Sequence, residues 1–306
     1  MYRAKRSGRG RVAVFDAAGY EAHRAEATDT AQMLPALRSA LSSDQLVLHY
    51  QPVLDIGAPR PGGPGSPAAP GGTGPGLPGR VHAVEALLRW HRPGHGLVPA
   101  ADFIELAERT GVVVELGAWV LRTACRQLAA WDELLGARSP RQVFVNVAAA
   151  ELVRPELAER TGAVLAETGV DPGRVTLEVT EGGLLSDPGA AADTVAALLE
   201  LGCHLAIDDF GTGWSSLSRL VELPARTLKV DRSFARDLSS SPAARAVITA
   251  VLGLGASLDR VVVVEGVEDG ATLEALRELG ATHAQGYHLA APQPAEQLSA
   301  LLAAQP

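Results

Sequence analysis

From position 81 onward the chain keeps one rhythm, a short aliphatic run followed by a stretch with apolar residues at helical spacing. Strand-like runs fall near 81–88, 143–147, 174–179, 205–207, 227–230, 261–264 and 282–284. Helical patterns lie between them, near 103–108, 116–135, 151–167, 190–201, 215–220, 243–258 and 272–279. Strands that alternate with helices are parallel and carry their helices outside the sheet. An earlier run, 46–54, brings the count to eight strands, which favours a closed (β/α)8 barrel over an open sheet.

Two segments stand apart from this rhythm. Residues 57–79 are almost entirely Pro, Gly, Ala and Ser, a composition that cannot offset the entropy of ordering, so a disordered surface insertion is expected. Loop closure costs grow only logarithmically with length, so the insertion interrupts two neighbouring strands without dividing the domain. Before 46, residues 1–16 hold a basic stretch and a strand-like tail, and 17–41 read as a helical linker in which Pro35 is out of place.

The polar residues are unusual in where they occur. Gln51, Glu85, Asn146, Glu178, Asp208, Lys229, Glu265 and Gln285 each lie inside a candidate strand or at its carboxyl end. In a barrel those ends share one mouth. Taken singly, each has a plain alternative: a rim salt bridge for a glutamate, a loop hydrogen bond for Asn146, ordinary turn roles for Gln51 and Gln285. Asp209 could be a helix N-cap, and Lys229 a counter-ion to Asp231. Eight strands doing the same thing weakens those alternatives.

Charge narrows the chemistry. Glu85, Glu178, Asp208, Asp209 and Glu265 bring five negative charges to the mouth against Lys229 and Arg89. Uncompensated, each carboxylate at an apolar edge costs on the order of several kcal/mol. Carboxylates plus an Asn carbonyl make a hard, all-oxygen set with no His or Cys placed to join it, which favours magnesium or manganese over zinc. The adjacent Asp208 and Asp209 suit two neighbouring ions, which can activate water for phosphodiester hydrolysis.

Composition excludes other classes. The formal net charge of −8 argues against a general nucleic-acid surface. No apolar run approaches the ~18 residues of a membrane span. Cys125 and Cys203 lie in apolar patterns far apart, as free thiols do in a reducing cytoplasm.

The motif Glu85-Ala86-Leu87-Leu88-Arg89-Trp90 resembles the signature of the EAL domains, phosphodiesterases that open cyclic di-GMP. The resemblance continues through Tyr50-Gln51-Pro52, Phe144-Val145-Asn146-Val147, Glu178-Val179-Thr180-Glu181, Asp208-Asp209-Phe210-Gly211-Thr212-Gly213, Leu228-Lys229-Val230-Asp231, Glu265-Gly266-Val267-Glu268 and Gln285-Gly286-Tyr287. It implies an EAL domain over 42–306, a TIM-type barrel with its first strand antiparallel, and cleavage of cyclic di-GMP to pGpG.

The resemblance also implies roles. Glu85, Asn146, Glu178 and Asp208 match ligands of one metal, with Asp208 and Asp209 serving a second. Lys229 matches the lysine that holds the attacking water, and Glu265 a nearby acid that orients it or binds metal. Gln51, Arg89, Asp231 and Gln285 match substrate-binding or site-organising positions. Glu181 matches the anchor of the loop over 209–216, whose conformation links dimerisation to metal binding in this family, so a homodimer is expected. Departures are few: Ala148 replaces a usual Ser, Trp214 a Tyr and Val264 an Ala, and none removes a metal ligand.

The first 16 residues resemble the end of a GGDEF domain, which implies a chain cut from a tandem protein or begun at an internal Met. Two readings compete with hydrolysis. One is a catalytically silent cyclic di-GMP receptor, disfavoured because every metal ligand is present; the other is a Schiff-base enzyme using Lys229, disfavoured by the surplus of carboxylates.

Overall fold

The structure, a computed structural model, describes residues 33–57, 77–211, 223–238 and 240–305. Most of the expected insertion, 58–76, the first 32 residues and the expected helix at 215–220 lie outside them. Met1–Gln45 and Leu46–Pro306 form separate units. In the first unit, residues 33–40 are helical.

The second unit is a closed barrel of eight strands: β1 (Leu46–Asp55), β2 (Arg80–Arg92), β4 (Gln142–Asn146), β5 (Val175–Thr180), β6 (His204–Phe210), β7 (Thr227–Val230), β8 (Val261–Val264) and β9 (His283–Ala284). Closure comes from β1, which pairs with both β2 and β9. It runs antiparallel to each, while the neighbouring pairs from β2 round to β9 are parallel. Strand–helix alternation alone predicted every strand parallel; the antiparallel first strand follows from the β1–β2 hairpin, which needs no crossover helix. Two short strands, β3 (Gly96–Pro99) and β10 (Gln293–Pro294), extend the sheet outside the barrel and are too brief to show periodicity in sequence.

The helices hold one correction. The single helix expected over 151–167 is two, Ala149–Leu152 and Glu156–Thr168. Pro155 has no backbone donor and disfavours helix in the residue before it, so the first helix stops and a second starts. Cys125 and Cys203 are buried and free, as expected.

Strand period places an apolar tier directly beneath the mouth. Val53, Ala83, Phe144 and Val263 form a buried cluster, and each lies two residues from a polar residue of the mouth: Gln51 and Glu85 within their strands, Asn146 and Glu265 at the ends of theirs. Side chains two apart share a face, so the same period that packs this tier aims the polar set up into the mouth.

A histidine pair lies at the opposite end, where His82 and His283 stack edge to face at 4.4 Å. Burial, then the charges of His283 and Arg141, lower His82 to about 4, with Asp55 opposing. The folded state therefore keeps His82 neutral while the unfolded chain takes up a proton below its ordinary 6.5. Stability from this group is complete above pH 6.5 and falls as pH drops toward 4. The loss is about 1 kcal/mol once solvent screening is allowed for, roughly 2–4 °C in thermal midpoint. The midpoint of His82→Gln relative to the parent chain is expected to rise as pH is lowered from 6.5 toward 4, and an unchanged difference would remove this role of His82.

Candidate metal centre at the barrel mouth

The site is built around one buried cation. Lys229, 1% exposed, rises from β7 into the mouth, with Nζ 2.7 Å from Glu178 and from Glu265, 3.2 Å from Glu85 and 3.5 Å from Asp208. Burial alone would depress this amine. The charges of Glu178, Glu85, Glu265 and Asp208 overcome it and hold Lys229 well above the ordinary lysine value. The reading of Lys229 as a counter-ion to Asp231 is therefore corrected: its partners are these four carboxylates, while Asp231 Oδ1 accepts from Ser233 N at 3.0 Å and caps the helix Arg232–Arg236.

Glu85 is the best-satisfied acid. It faces Gln51 across the β1–β2 ladder. Its Oε1 accepts from Asn146 Nδ2 at 2.9 Å, and its Oε2 from Lys229 Nζ at 3.2 Å and Gln285 Nε2 at 2.7 Å. Burial would raise its pKa, but Lys229, Gln285 and Asn146 hold it below the usual carboxylate range. Gln285 Nε2 also donates to Gln51 Oε1 at 3.0 Å, and Gln51 Nε2 donates to the Ala290 carbonyl at 3.1 Å. The two glutamines thus organise Glu85.

Glu178 is the opposite case. Its side chain is 0% exposed; Oε1 is held by Lys229 Nζ at 2.7 Å, and Oε2 is buried without a hydrogen-bond partner. Burial, reinforced by Glu85, lifts its pKa well above the ordinary value. Asp208 Oδ1 is likewise buried without a hydrogen bond.

Asp209 depends on an irregular backbone. Neighbours along a strand point to opposite faces, so Asp208 and Asp209 cannot share a mouth in a regular ladder. The β6–β7 register shifts between Ile207 and Phe210, and Asp209 takes φ 52°, a left-handed conformation that Asp tolerates better than most residues. Ligand oxygens of Asp208, Asp209 and Glu265 come within 4.8 Å of one another as a result. Asp209 is raised by burial, then by Asp208 and Asp231. Glu265 is raised to about 7 by burial, with Lys229 opposing and Asp208 and Glu85 adding.

Most of these side chains line a cavity of about 270 Å³; Glu178 and Asp209 are not among its walls. Its walls include Gln51, Glu85, Asp208, Lys229, Glu265 and Gln285, all selected from sequence, together with Arg232, Glu268 and Tyr287, to which sequence reasoning assigned no role. Their signals were present: Arg232 follows the β7 end, Glu268 sits three residues after Glu265, and Tyr287 follows Gln285-Gly286. Tyr287 is 70% exposed, an aromatic face open to the mouth. Gly286 permits that turn, since a Cβ there would lie 2.2 Å from the Val267 carbonyl oxygen.

Two expected substrate positions lie outside that lining. Arg89 is partly buried and turns Nη1 onto the Leu88 carbonyl at 2.9 Å, and Asp231 is committed to its cap. Asn146 stands at the rim with its amide on Glu85. Glu181 opens the helix Glu181–Ser186, is buried, and has no hydrogen bond to either carboxylate oxygen among the described residues. The loop it is expected to anchor lies beyond position 211, largely outside the described residues.

The donor set fits a hard divalent cation. Buried carboxylate oxygens without hydrogen-bond partners require an explanation. Asp208, Asp209 and Glu265, whose carboxylate oxygens lie within 4.8 Å of one another, form an all-oxygen cluster of the kind that suits such an ion.

Fold and mouth together define a (β/α)8 barrel protein with an all-oxygen acidic centre held around a lysine. Its sequence relatives are more specific. The family model described as EAL domain matches residues 77–292. The bifunctional diguanylate cyclase/cyclic di-GMP phosphodiesterase MucR of Pseudomonas aeruginosa is 39% identical over 303 residues, covering 99% of this chain and 40% of MucR. The cyclic di-GMP phosphodiesterase NbdA of the same organism is 38% identical over 278 residues, covering 91% of this chain and 33% of NbdA. A solved structure described as the PaMucR phosphodiesterase in complex with c-di-GMP superposes with TM-score 0.76 at 38% identity, covering 87% of this chain and 99% of that one. The chain belongs to the EAL domain family. It spans about 40% of the length of MucR and 33% of NbdA. Among the described residues no helix is long and apolar enough to cross a membrane.

Proposed function

We propose that this chain hydrolyses cyclic di-GMP to linear pGpG with two bound magnesium or manganese ions. The observation that supports this most is the pair of buried carboxylate oxygens without hydrogen bonds, Glu178 Oε2 and Asp208 Oδ1, beside Lys229, in a member of the EAL family. Similarity to relatives named cyclic di-GMP phosphodiesterases, and to a structure described with c-di-GMP bound, supports the substrate.

In this reading Glu85, Asn146, Glu178 and Asp208 hold one ion, and Asp208 with Asp209 the second. When bound, such ions would supply positive charge and lower the pKa of a water, which on losing a proton can attack phosphorus as one ester P–O bond breaks and the leaving oxygen takes up a proton. Lys229 Nζ holds that water. Glu265, 2.7 Å from Lys229 Nζ, is placed to accept the water's proton. Gln51 and Gln285 keep Glu85 oriented. Arg232 brings a cation to the cavity wall, and Tyr287 offers a face on which a base can stack. Arg89 and Asp231 act from behind the wall, and Glu181 holds the loop after Asp209. The same reading takes 42–306 as the EAL domain, working in the cytoplasm as a homodimer, with 1–16 the end of a GGDEF domain and 17–41 the linker between them.

The test is incubation of the full chain with cyclic di-GMP in magnesium or manganese, with product separated by chromatography. pGpG is expected with either metal and none after EDTA treatment. Tight binding of cyclic di-GMP with no product would replace hydrolysis with a receptor role.

A further inference from the structure

We propose that Glu151 is a positioning residue for Asn146, holding the turn that follows β4 in the geometry a metal ion needs; this rests on the reading of Asn146 as a metal ligand. After Asn146 the chain passes through Val147 and Ala148 into the helix Ala149–Leu152. Val147 N donates to the Glu178 carbonyl at 2.8 Å, which fixes one side of the turn to β5. The Ala148 amide is an N-terminal helix donor with no partner in the helix itself. Glu151 Oε2 accepts it at 3.3 Å. A serine or threonine at 148 would return a second bond from its hydroxyl and complete a capping box. An alanine methyl cannot, so the Glu151 carboxylate is the remaining side-chain support of this turn.

That carboxylate is itself fixed from two further elements. Glu151 is 2% exposed. Arg160, on the helix Glu156–Thr168, approaches Glu151 Oε1 with Nη2 at 3.4 Å and donates from Nη1 to the Val114 carbonyl at 3.1 Å. It therefore ties Glu151 to the first turn of the helix Val113–Leu135. On that same helix, Gly117 clears the space: a Cβ there would lie 2.1 Å from Glu151 Oε1 and 2.5 Å from Oε2. The adjoining cavity, lined by Gly117, Asn146, Glu151 and Arg160, measures about 10 Å³. That is no more than one water, so these buried charges serve no larger ligand.

The ion pair with Arg160 does not by itself explain the charge. Burial raises the Glu151 carboxyl to about 7 despite the Ala148 amide and Arg160, and a well-packed apolar side chain is often as stable as a buried ion pair. What an apolar side chain cannot do is receive the Ala148 amide. Hydrogen-bond partners of a metal ligand change metal affinity by roughly 10–100-fold when removed; Glu151 acts through the Ala148 amide, two residues from Asn146, so an effect at the low end of that range is expected.

The test measures Mn²⁺ binding to the full chain by calorimetry, without substrate, for the parent, Glu151→Leu, Glu151→Gln and Gly117→Ala. Glu151→Leu is expected to weaken Mn²⁺ binding by ~10-fold, and Glu151→Gln, whose amide oxygen still accepts from Ala148, to stay within ~3-fold. Gly117→Ala keeps the carboxylate but displaces it, and is expected to weaken binding in the same direction; far-UV circular dichroism reports folding throughout. Parent-like affinity in Glu151→Leu overturns the proposal, and if that variant does not fold, parent-like affinity in Gly117→Ala does so. A parent chain that binds no Mn²⁺ overturns this proposal together with the metal-dependent reading; a parent that binds alongside variants that bind equally overturns this proposal alone.

Discussion

Glu85→Ala is expected to abolish hydrolysis of cyclic di-GMP, with a loss of ~10³-fold or more, while leaving the fold intact. The asymmetry follows from charge. The mouth holds Glu85, Glu178, Asp208, Asp209 and Glu265 in front of a single buried lysine, so removing one acid relieves repulsion as well as removing a partner. Lys229 keeps three carboxylates, two of them at 2.7 Å. What disappears is the point where Asn146, Lys229 and Gln285 converge. Asn146 then loses the acceptor that orients its amide, and the proposed first ion loses two ligands' geometry for one substitution. The measurement is turnover in magnesium beside far-UV circular dichroism and a thermal midpoint. Retained magnesium-dependent hydrolysis in a folded Glu85→Ala variant would remove the proposed function.

Much of this site is legible in sequence for one reason. A polar residue at the end of an aliphatic strand is conspicuous, and strand period 2 puts it above the apolar residue two positions before it, as Asn146 stands above Phe144 and Glu265 above Val263. Period says nothing about direction or closure. The antiparallel β1 is set by its pairing with β2, over a register running from Leu46 opposite Trp90 to Asp55 opposite Arg80; motif resemblance implied it and periodicity could not. Asp209 reaches the mouth only through a positive φ and a register shift, neither of which leaves a pattern in the residues themselves. Arg89 and Asp231 show the reverse limit. They were selected by motif position, but rotamer and local backbone partners decide where a side chain ends, and the Leu88 carbonyl and the Ser233 amide hold these two off the cavity wall.

Lys229→Met is expected to be the most destabilising single change in the barrel, and metal is expected to reverse much of it. Removing one partner of a buried ionic cluster costs about 3–5 kcal/mol, because the remaining charges stay buried without compensation. Here the remainder is Glu85, Glu178, Asp208 and Glu265, so the cost depends on how many of them are ionised. Glu178 is already raised well above the ordinary carboxylate value and Glu265 to about 7. In that window these two acids bind more protons in the folded state than in the unfolded chain, where glutamates titrate near 4.5, so their contribution to stability falls as pH rises from 4.5 through about 7. Without Lys229 the raised values climb further and the decline with pH steepens. A divalent cation replaces the lost charge in the folded state only, adding ~2.7 kcal/mol at a hundred times its dissociation constant. Thermal midpoints of Lys229→Met in EDTA are therefore expected to fall below the parent by roughly 6–20 °C near neutral pH, to approach it at pH 5, and to recover with magnesium or manganese while hydrolysis stays lost. A variant as stable as the parent in EDTA at pH 8 would mean that the mouth acids are protonated or solvated there. The lysine would then owe its place to the reaction and not to the fold.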